Sequence, residues 1–340
     1  NYLNTFIVNK ENRMKKITYG EAIRDGFAYT LKNYPEVFVI GQGLWSPWYV
    51  GSSMTKLEEE FGKNRIIDTP VSEMACTSAA LGASLYGKKA VVVHPRIDFM
   101  ILASDSIVNQ AAKWSHMLGG QSNPSLTIRG IINRGGEQGA QHSQSLQSWY
   151  AHIPGLRVVM PYTVVDARDL LISSILSKDP VLYIDDRWLY SQEEYISEPI
   201  EYNLNDLKNK KILDGSDITI ASNSWGTKLA IDAAEELLKI NVSAEVIDLR
   251  ILNPLDVQSV IKSVKKTGRL LSIDISWKTC GIGGEVIARV FENVNPDIWN
   301  SSPSRISLPD APAPSSSFLE QNYYPSVKEV IEAAKKQVKI

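Results

Sequence analysis

The stretch GGEQGAQHSQSLQSWYAHIPGLRVVMP, residues 135 to 161, holds two of the chain's four histidines, His142 and His152. His142 sits in a Gly- and Gln-rich loop too polar to pack, so its imidazole is either a solvated side chain or the reactive edge of a pocket. A second candidate is Glu73, which closes DTPVSE, where Pro70 and Ser72 suit a helix start. A carboxylate in a first helical turn commonly serves the helix dipole, worth well under ~1 kcal/mol when exposed. The helix that would follow, MACTSAALGASLYG, is apolar and rich in small residues, which predicts burial. Burial would desolvate the carboxylate and raise its proton affinity, a useful state for an acid that hands a proton back and forth. Phe99, in HPRIDFMILASD, reads by itself as a core aromatic.

What would position these groups is a series of short β-branched runs alternating with helical patterns. VFVIG (37–41), RIID (65–68), AVVVHP (90–95), LTIRGII (126–132), LRVVMP (156–161) and PVLYID (180–185) read as strands, with helix-like text between most of them. Alternation of this kind predicts a mostly parallel sheet with helices on both faces. Polar text from YSQEEYISEP to LKNKK breaks the pattern, and a second α/β set follows: ITIASNSW (218–225), SAEVIDLR (243–250), RLLSIDIS (269–276) and a closing helix SVKEVIEAAKKQV. The chain therefore reads as α/β with two doubly wound domains, 14–193 and 214–340, joined by a linker at 194–213. Residues 1–13 precede a natural-looking start at Met14 and read as an extension. Open parallel sheets bind ligands beyond the carboxyl ends of their strands. That rule gathers Gln42, Glu73, Phe99 and His142, one after each of four strands, into one crevice.

Composition narrows the function classes. A 340-residue chain that is 44% apolar and 22% charged, with formal net charge −2, is ordinary for a globular protein. Its Lys and Arg are scattered, which argues against nucleic acid, and no apolar run reaches the ~20 residues of a membrane span. Cys76 and Cys280 lie far apart without CxxC spacing, so neither a disulfide framework nor a zinc site is expected; a reducing, cytoplasmic compartment fits. GIGGEV (281–286) lacks full GxGxxG spacing and reads as a close-packed helix start rather than a nicotinamide site.

At this point FGKNRIIDTPVSE, SDSIVNQAAK, GAQHSQSLQSWYAHIPGLRVVMP, AEVIDLRILNPLD and SVKKTGRLL resemble the beta subunit of the decarboxylating first component of 2-oxo acid dehydrogenase complexes. That family, with pyruvate, branched-chain and acetoin members, lies in the transketolase-like superfamily of thiamine diphosphate enzymes. The resemblance runs from about Lys15 to the C-terminus. It implies an N-terminal pyrimidine-binding domain and a transketolase C-terminal-like domain. It also implies that Glu73 hydrogen-bonds the cofactor's aminopyrimidine, that Phe99 stacks on that ring, and that His142 reaches the substrate and reacting carbon. Thiamine diphosphate works once its thiazolium C2 loses a proton and becomes an electron sink. A carboxylic acid opposite the amino group would favour that loss. In the superfamily a GDG motif with a following asparagine holds Mg²⁺ and the diphosphate; no such motif occurs here, and DGSD at 214–217 lacks its first glycine. The resemblance therefore implies an alpha subunit carrying that motif, a two-alpha, two-beta heterotetramer with beta–beta contacts, and an acyl group passed to a lipoyl acyltransferase core.

The chain also departs from the family pattern. Gln42 stands where an acidic residue is usual, followed by the unusual Trp45 and Trp48; VHPRID brings His94 and Arg96 near the strand end; and His116 replaces a tyrosine. Gln42 is expected near the cofactor, and Arg96 and His116 are read as candidates for an anionic or polyhydroxylated substrate or as solvated positions. Two other functions fit the same resemblance: a split transketolase-like carboligase acting on an aldehyde, and a non-catalytic assembly partner.

Overall fold

The computed structural model describes residues 14–340, so the reading of residues 1–13 as an extension falls outside the described residues. The first half runs β1 (Lys15–Thr18), α1 (Tyr19–Asn33), β2 (Val37–Gln42), α2 (Leu57–Phe61), β3 (Ile66–Thr69), α3 (Glu73–Leu85) and β4 (Lys89–His94). A 3₁₀ segment (Ile97–Ala103) and a π segment (Asp105–Ala111) then lead into α4 (Ala112–Met117) and β5 (Leu126–Ile132). After these come α5 (Gln147–Ala151), β6 (Arg157–Val159), α6 (Val164–Leu176), β7 (Val181–Asp186) and β8 (Glu193–Ile196). The second half holds β9 (Lys210–Leu213), β10 (Ile218–Ser222), α7 (Trp225–Leu238), β11 (Ala244–Asp248), β12 (Ile251–Asn253) and α8 (Gln258–Thr267). It ends with β13 (Leu270–Trp277), α9 (Ile282–Asn293), β14 (Ser304–Leu308), α10 (Ser317–Glu320) and α11 (Val327–Val338).

Two parallel sheets organise these elements. The larger has the order β12-β6-β7-β5-β4-β2-β3, the smaller β14-β13-β10-β11-β9. All pairs are parallel except β12 with β6 and β9 with β11. The apolar strand text has its explanation in β4. Ala90 and Val92 face one core with α3 and the 3₁₀ and π segments; Val91 and Val93 face another with α1 and α6. Because side chains alternate faces, only a strand covered on both sides needs such a continuous apolar run. Each valine buried this way contributes roughly 1.5–3 kcal/mol relative to exposure.

Helix boundaries follow local chemistry. Thr18 and Glu21 form a reciprocal capping box at the start of α1, and the Arg65 guanidinium donates to the carbonyls of Leu31, Tyr34 and Val37 where that helix ends. At the start of α9, a Cβ on Gly281 would lie 2.6 Å from the Trp277 carbonyl oxygen and one on Gly283 3.0 Å from Ser272 Oγ. GIGGEV is thus a close helix–strand contact, as its text suggests.

The tract read as a linker is partly structured. Its first end lies within β8, which pairs antiparallel with β1, and its last end is β9, the edge of the second sheet. Between halves the boundary is also less clean than two separate domains imply. β12, from the second half, joins the first sheet beside β6. One apolar cluster runs from Ile128 and Leu146 into Ile247, Val260 and Val286. No helix among the described residues is long and apolar enough to cross a membrane.

Candidate active site

Sheet order decides what can meet. β3, β2, β4 and β5 are consecutive neighbours, so the segments leaving their carboxyl ends share one edge. Gln42 ends β2, Glu73 opens the helix after β3, Phe99 lies in the 3₁₀ segment after β4, and His142 is in the loop after β5. The structure brings these expected residues to one edge, and the rings of Phe99 and His142 meet edge to face at 5.2 Å between centroids.

Glu73 begins α3 and is 7% exposed. Ser72 occupies the N-cap position, although its hydroxyl makes no cap bond. The turn is fixed from inside instead. Thr77 Oγ1 donates to the Glu73 carbonyl at 2.8 Å and lies 3.1 Å from His94 Nε2. A hydroxyl has one proton, so with that proton on the Glu73 carbonyl the imidazole donates through Nε2–H. The Glu73 carboxylate takes no hydrogen bond from the described residues.

His94, which the sequence places near the strand end, faces inward and is 2% exposed. Burial pushes its pKa from 6.5 down to about 4, so it stays neutral where a free imidazole is half charged. Between those values the unfolded chain binds the extra proton, and stability falls as pH drops from about 6.5 toward about 4. The expected contribution approaches about 1.4 kcal/mol per pH unit. Urea unfolding at pH 7 and pH 5 should therefore show a smaller acid loss for His94→Gln than for the parent; equal losses would assign acid sensitivity to other groups.

The histidine loop is held from several sides. Gly135, Gly136 and Gly139 have φ of 77°, 68° and 72°, and Glu137 among them has φ 60°. Glycine takes that region freely; a glutamate there must be held by its surroundings. Here the Glu137 N–H donates to Glu320 at 2.9 Å, and its carboxylate accepts the Ser317 N–H at 2.9 Å. Further along, the Gln144 N–H donates to Asp98 Oδ1 and Gln147 Nε2 to Asp274 Oδ1. Asp98 is 4% exposed, and burial raises its carboxyl pKa against the lowering effect of the Gln144 bond. These contacts tie the imidazole's loop to the 3₁₀ segment after β4 and to the second half of the chain. The loop's polarity is thus spent on backbone bracing.

Charged pairs stiffen the same edge. Arg129, inside β5, meets Asp185 at 2.8 Å with both side chains fully buried, and Arg134 meets Asp186 at 2.6 Å. Deleting one partner of such a pair strands a buried charge. Arg96 and, unexpectedly from sequence, Arg187 and Tyr49 also reach this edge. Arg187 Nη2 donates to the Tyr49 carbonyl, and Gln42 Nε2 donates to the Tyr49 hydroxyl at 3.3 Å. Gly43 (φ 69°) permits this fold-over, since a Cβ there would lie 2.1 Å from the Tyr49 ring.

His116 does not belong to the site. It is exposed at the end of α4 and lines a separate cavity with Gly155, Arg157, Asp179 and Pro180. Arg157 opens β6 and Pro180 precedes β7, so that cavity lies at the amino edge of the strands, away from Glu73. The substrate role expected for His116 would need it at the carboxyl edge, and the fold puts it at the opposite one. Among the described residues no group of three or more His, Cys, Asp or Glu could hold a metal ion.

Comparison with known proteins adds to this geometry. Residues 15–192 match the model of the transketolase pyrimidine binding domain, and residues 208–330 that of the transketolase C-terminal domain. The chain is 37% identical over 324 residues to the pyruvate dehydrogenase E1 component subunit beta of Rickettsia bellii, covering 94% of this chain and 98% of that one. It is 35% identical over 332 residues to the mitochondrial pyruvate dehydrogenase E1 component subunit beta of Saccharomyces cerevisiae, covering 96% and 90%. A solved structure described as a split gene transketolase, inactive beta4 tetramer, superposes with TM-score 0.76 at 19% identity, over 95% of this chain and 98% of that one. At that identity the likeness concerns the fold.

Proposed function

This chain belongs to the pyruvate dehydrogenase E1 beta-subunit family, built from transketolase pyrimidine-binding and C-terminal domains, and from that premise we propose that it forms one wall of a thiamine diphosphate site in a 2-oxo acid decarboxylase. The observation that carries the reading is the convergence of Glu73, Gln42, Phe99 and His142 at the carboxyl edge of neighbouring strands, with Phe99 and His142 in ring contact. The residues fit the pyrimidine end of the cofactor. Glu73 offers a largely buried carboxylate with no hydrogen-bond partner among the described residues, the kind of group that leaves a hydrogen bond for a ring nitrogen. When bound, thiamine diphosphate would supply a nucleophilic thiazolium carbon and an electron sink for decarboxylation of a 2-oxo acid.

The chain's own residues do the rest. Glu73 would share a proton with the ring nitrogen it faces and hold the pyrimidine in register. Phe99 would give an apolar surface beside that ring. Gln42, a neutral amide where the family pattern carries an acid, would contribute hydrogen bonds without charge. His142 would stand over the reacting carbon, donating to developing negative charge or moving a proton during acyl transfer, worth roughly 10²–10⁴-fold.

The diphosphate and Mg²⁺ would be held mainly by an alpha subunit bearing the GDG motif that this sequence lacks. Two copies of each chain would make the heterotetramer, with the acyl group passing to lipoamide on an acyltransferase core. Cys76 and Cys280, both unpaired, suit a reducing cytoplasmic compartment.

The test is reconstitution. The tagged chain, co-purified with its GDG-bearing partner, should release carbon dioxide from a 2-oxo acid and reductively acylate lipoamide; the chain alone should do neither. Ligation to an aldehyde without lipoamide acylation would replace this reading with a carboligase. A complex that binds no thiamine diphosphate would leave an assembly role.

A further inference from the structure

The edge that carries His142 also holds two guanidinium groups that the proposed chemistry does not use. Arg96 lies two residues past β4, and Arg187 directly follows β7; β5, whose loop presents His142, runs between those strands. The acids nearest in sequence to Arg187 are already taken, Asp185 by Arg129 and Asp186 by Arg134. Asp98, two residues from Arg96, gives one oxygen to the Gln144 N–H. Neither Arg96 nor Arg187 makes an ion pair among the described residues. Each keeps a buried N–H without a partner, Nη1 on Arg96 and Nε on Arg187.

Buried guanidinium hydrogens left unsatisfied are costly, and like charges in proximity add repulsion. The two arginines are close enough to act on one another: burial first, then the Arg187 charge, lowers the Arg96 pKa, with Asp98 and Tyr49 opposing. Both are anchored for presentation. Arg187 is braced by the Tyr49 carbonyl, and the Arg96 carbonyl accepts the Phe99 N–H at 3.3 Å, which fixes the guanidinium's own turn against the candidate site. An anion at this edge would offset the repulsion between the two charges, and planar guanidinium forks suit carboxylate or phosphate oxygens.

We propose that Arg96 and Arg187 form an anion subsite beside His142 that selects a donor carrying a second anionic group, carboxylate or phosphate, at the end remote from its 2-oxo acid. The proposal deepens the thiamine reading and rests on it for the identity of the donor, whereas the anion site itself can be tested without the cofactor.

The experiment uses the complex co-purified with this chain and freed of thiamine diphosphate. Calorimetric titration should show succinate or inorganic phosphate binding where the neutral succinamide does not, and which of the two binds distinguishes a carboxylate from a phosphate. Arg96→Gln and Arg187→Gln should each weaken that binding by roughly 10–100-fold, with Arg187→Lys recovering part of it. After cofactor is restored, the ratio of kcat/KM for 2-oxoglutarate over 2-oxobutyrate should fall in the Gln variants by a similar factor, provided the carboxylate is the group bound. Anion binding that disappears in the variants, in a complex that never decarboxylates, would keep the subsite and end the thiamine reading. Failure of both test anions to bind better than succinamide, binding that survives both substitutions, or variants that lose the alpha subunit instead would overturn the subsite.

Discussion

The complex carrying Glu73→Gln should bind thiamine diphosphate nearly as well as the parent and lose about 10²–10⁴-fold in kcat. The amide has the carboxylate's shape and keeps a hydrogen-bonding tip, so the packing of α3 against the 97–111 segment has no reason to change. What it lacks is a carboxyl proton that can pass to a ring nitrogen and return. The turn around residue 73 is secured by the Thr77 hydroxyl on the Glu73 backbone carbonyl, not by the side chain, so thermal unfolding should be close to the parent's. Cofactor titration followed by single-turnover carbon dioxide release separates the two effects. A Gln variant that turns over normally would remove residue 73 from the chemistry, and one that fails to bind the cofactor would make it a binding residue only.

The second large effect is expected at His142. His142→Ala should lower kcat by roughly 10²–10⁴-fold while the histidine loop stays in place. That expectation comes from how the loop is braced. Its bonds to Asp98, Asp274, Ser317 and Glu320 run through Gln144, Gln147 and Glu137, and none uses the imidazole. The loss should fall on kcat with cofactor affinity close to the parent's, read by thiamine diphosphate titration beside steady-state turnover. A small drop in rate would mean that the ring only packs on Phe99.

Sequence made some of this legible and hid the rest for identifiable reasons. The central strands announce themselves because β4 and β5 are covered on both faces and must be apolar throughout. β8 and β1 escape notice because an exposed two-stranded ribbon tolerates text such as EEYI and KKIT; in β8 only Ile196 is buried. β12 is three residues long, and its partner β6 lies about ninety positions earlier, beyond any local pattern. Glu73, Gln42, Phe99 and His142 could be grouped because each follows a readable strand and the carboxyl-edge rule needs no more. Arg187 could not, since DDRWLY reads as a charged turn until sheet order sets β7 beside β5. The one available hint was the excess of charge at the end of an apolar strand. His116 drew notice as a departure from the family pattern, which says nothing about direction: the chain passes through 3₁₀, π and α geometry in succession before reaching it.

The short strand Ile251–Asn253 has a consequence for how this polypeptide could be divided. Severed anywhere between residues 197 and 209, the front piece would retain every side chain proposed to touch the coenzyme, yet leave the backbone of Arg157–Val159 unclothed on its outer side. Unclaimed amides and carbonyls recruit whatever β-structure is at hand, including another copy of themselves. Inheritance of the two halves as one unbroken gene product thus spares the front half a sticky seam, and any engineered fission would have to carry those three residues across with it.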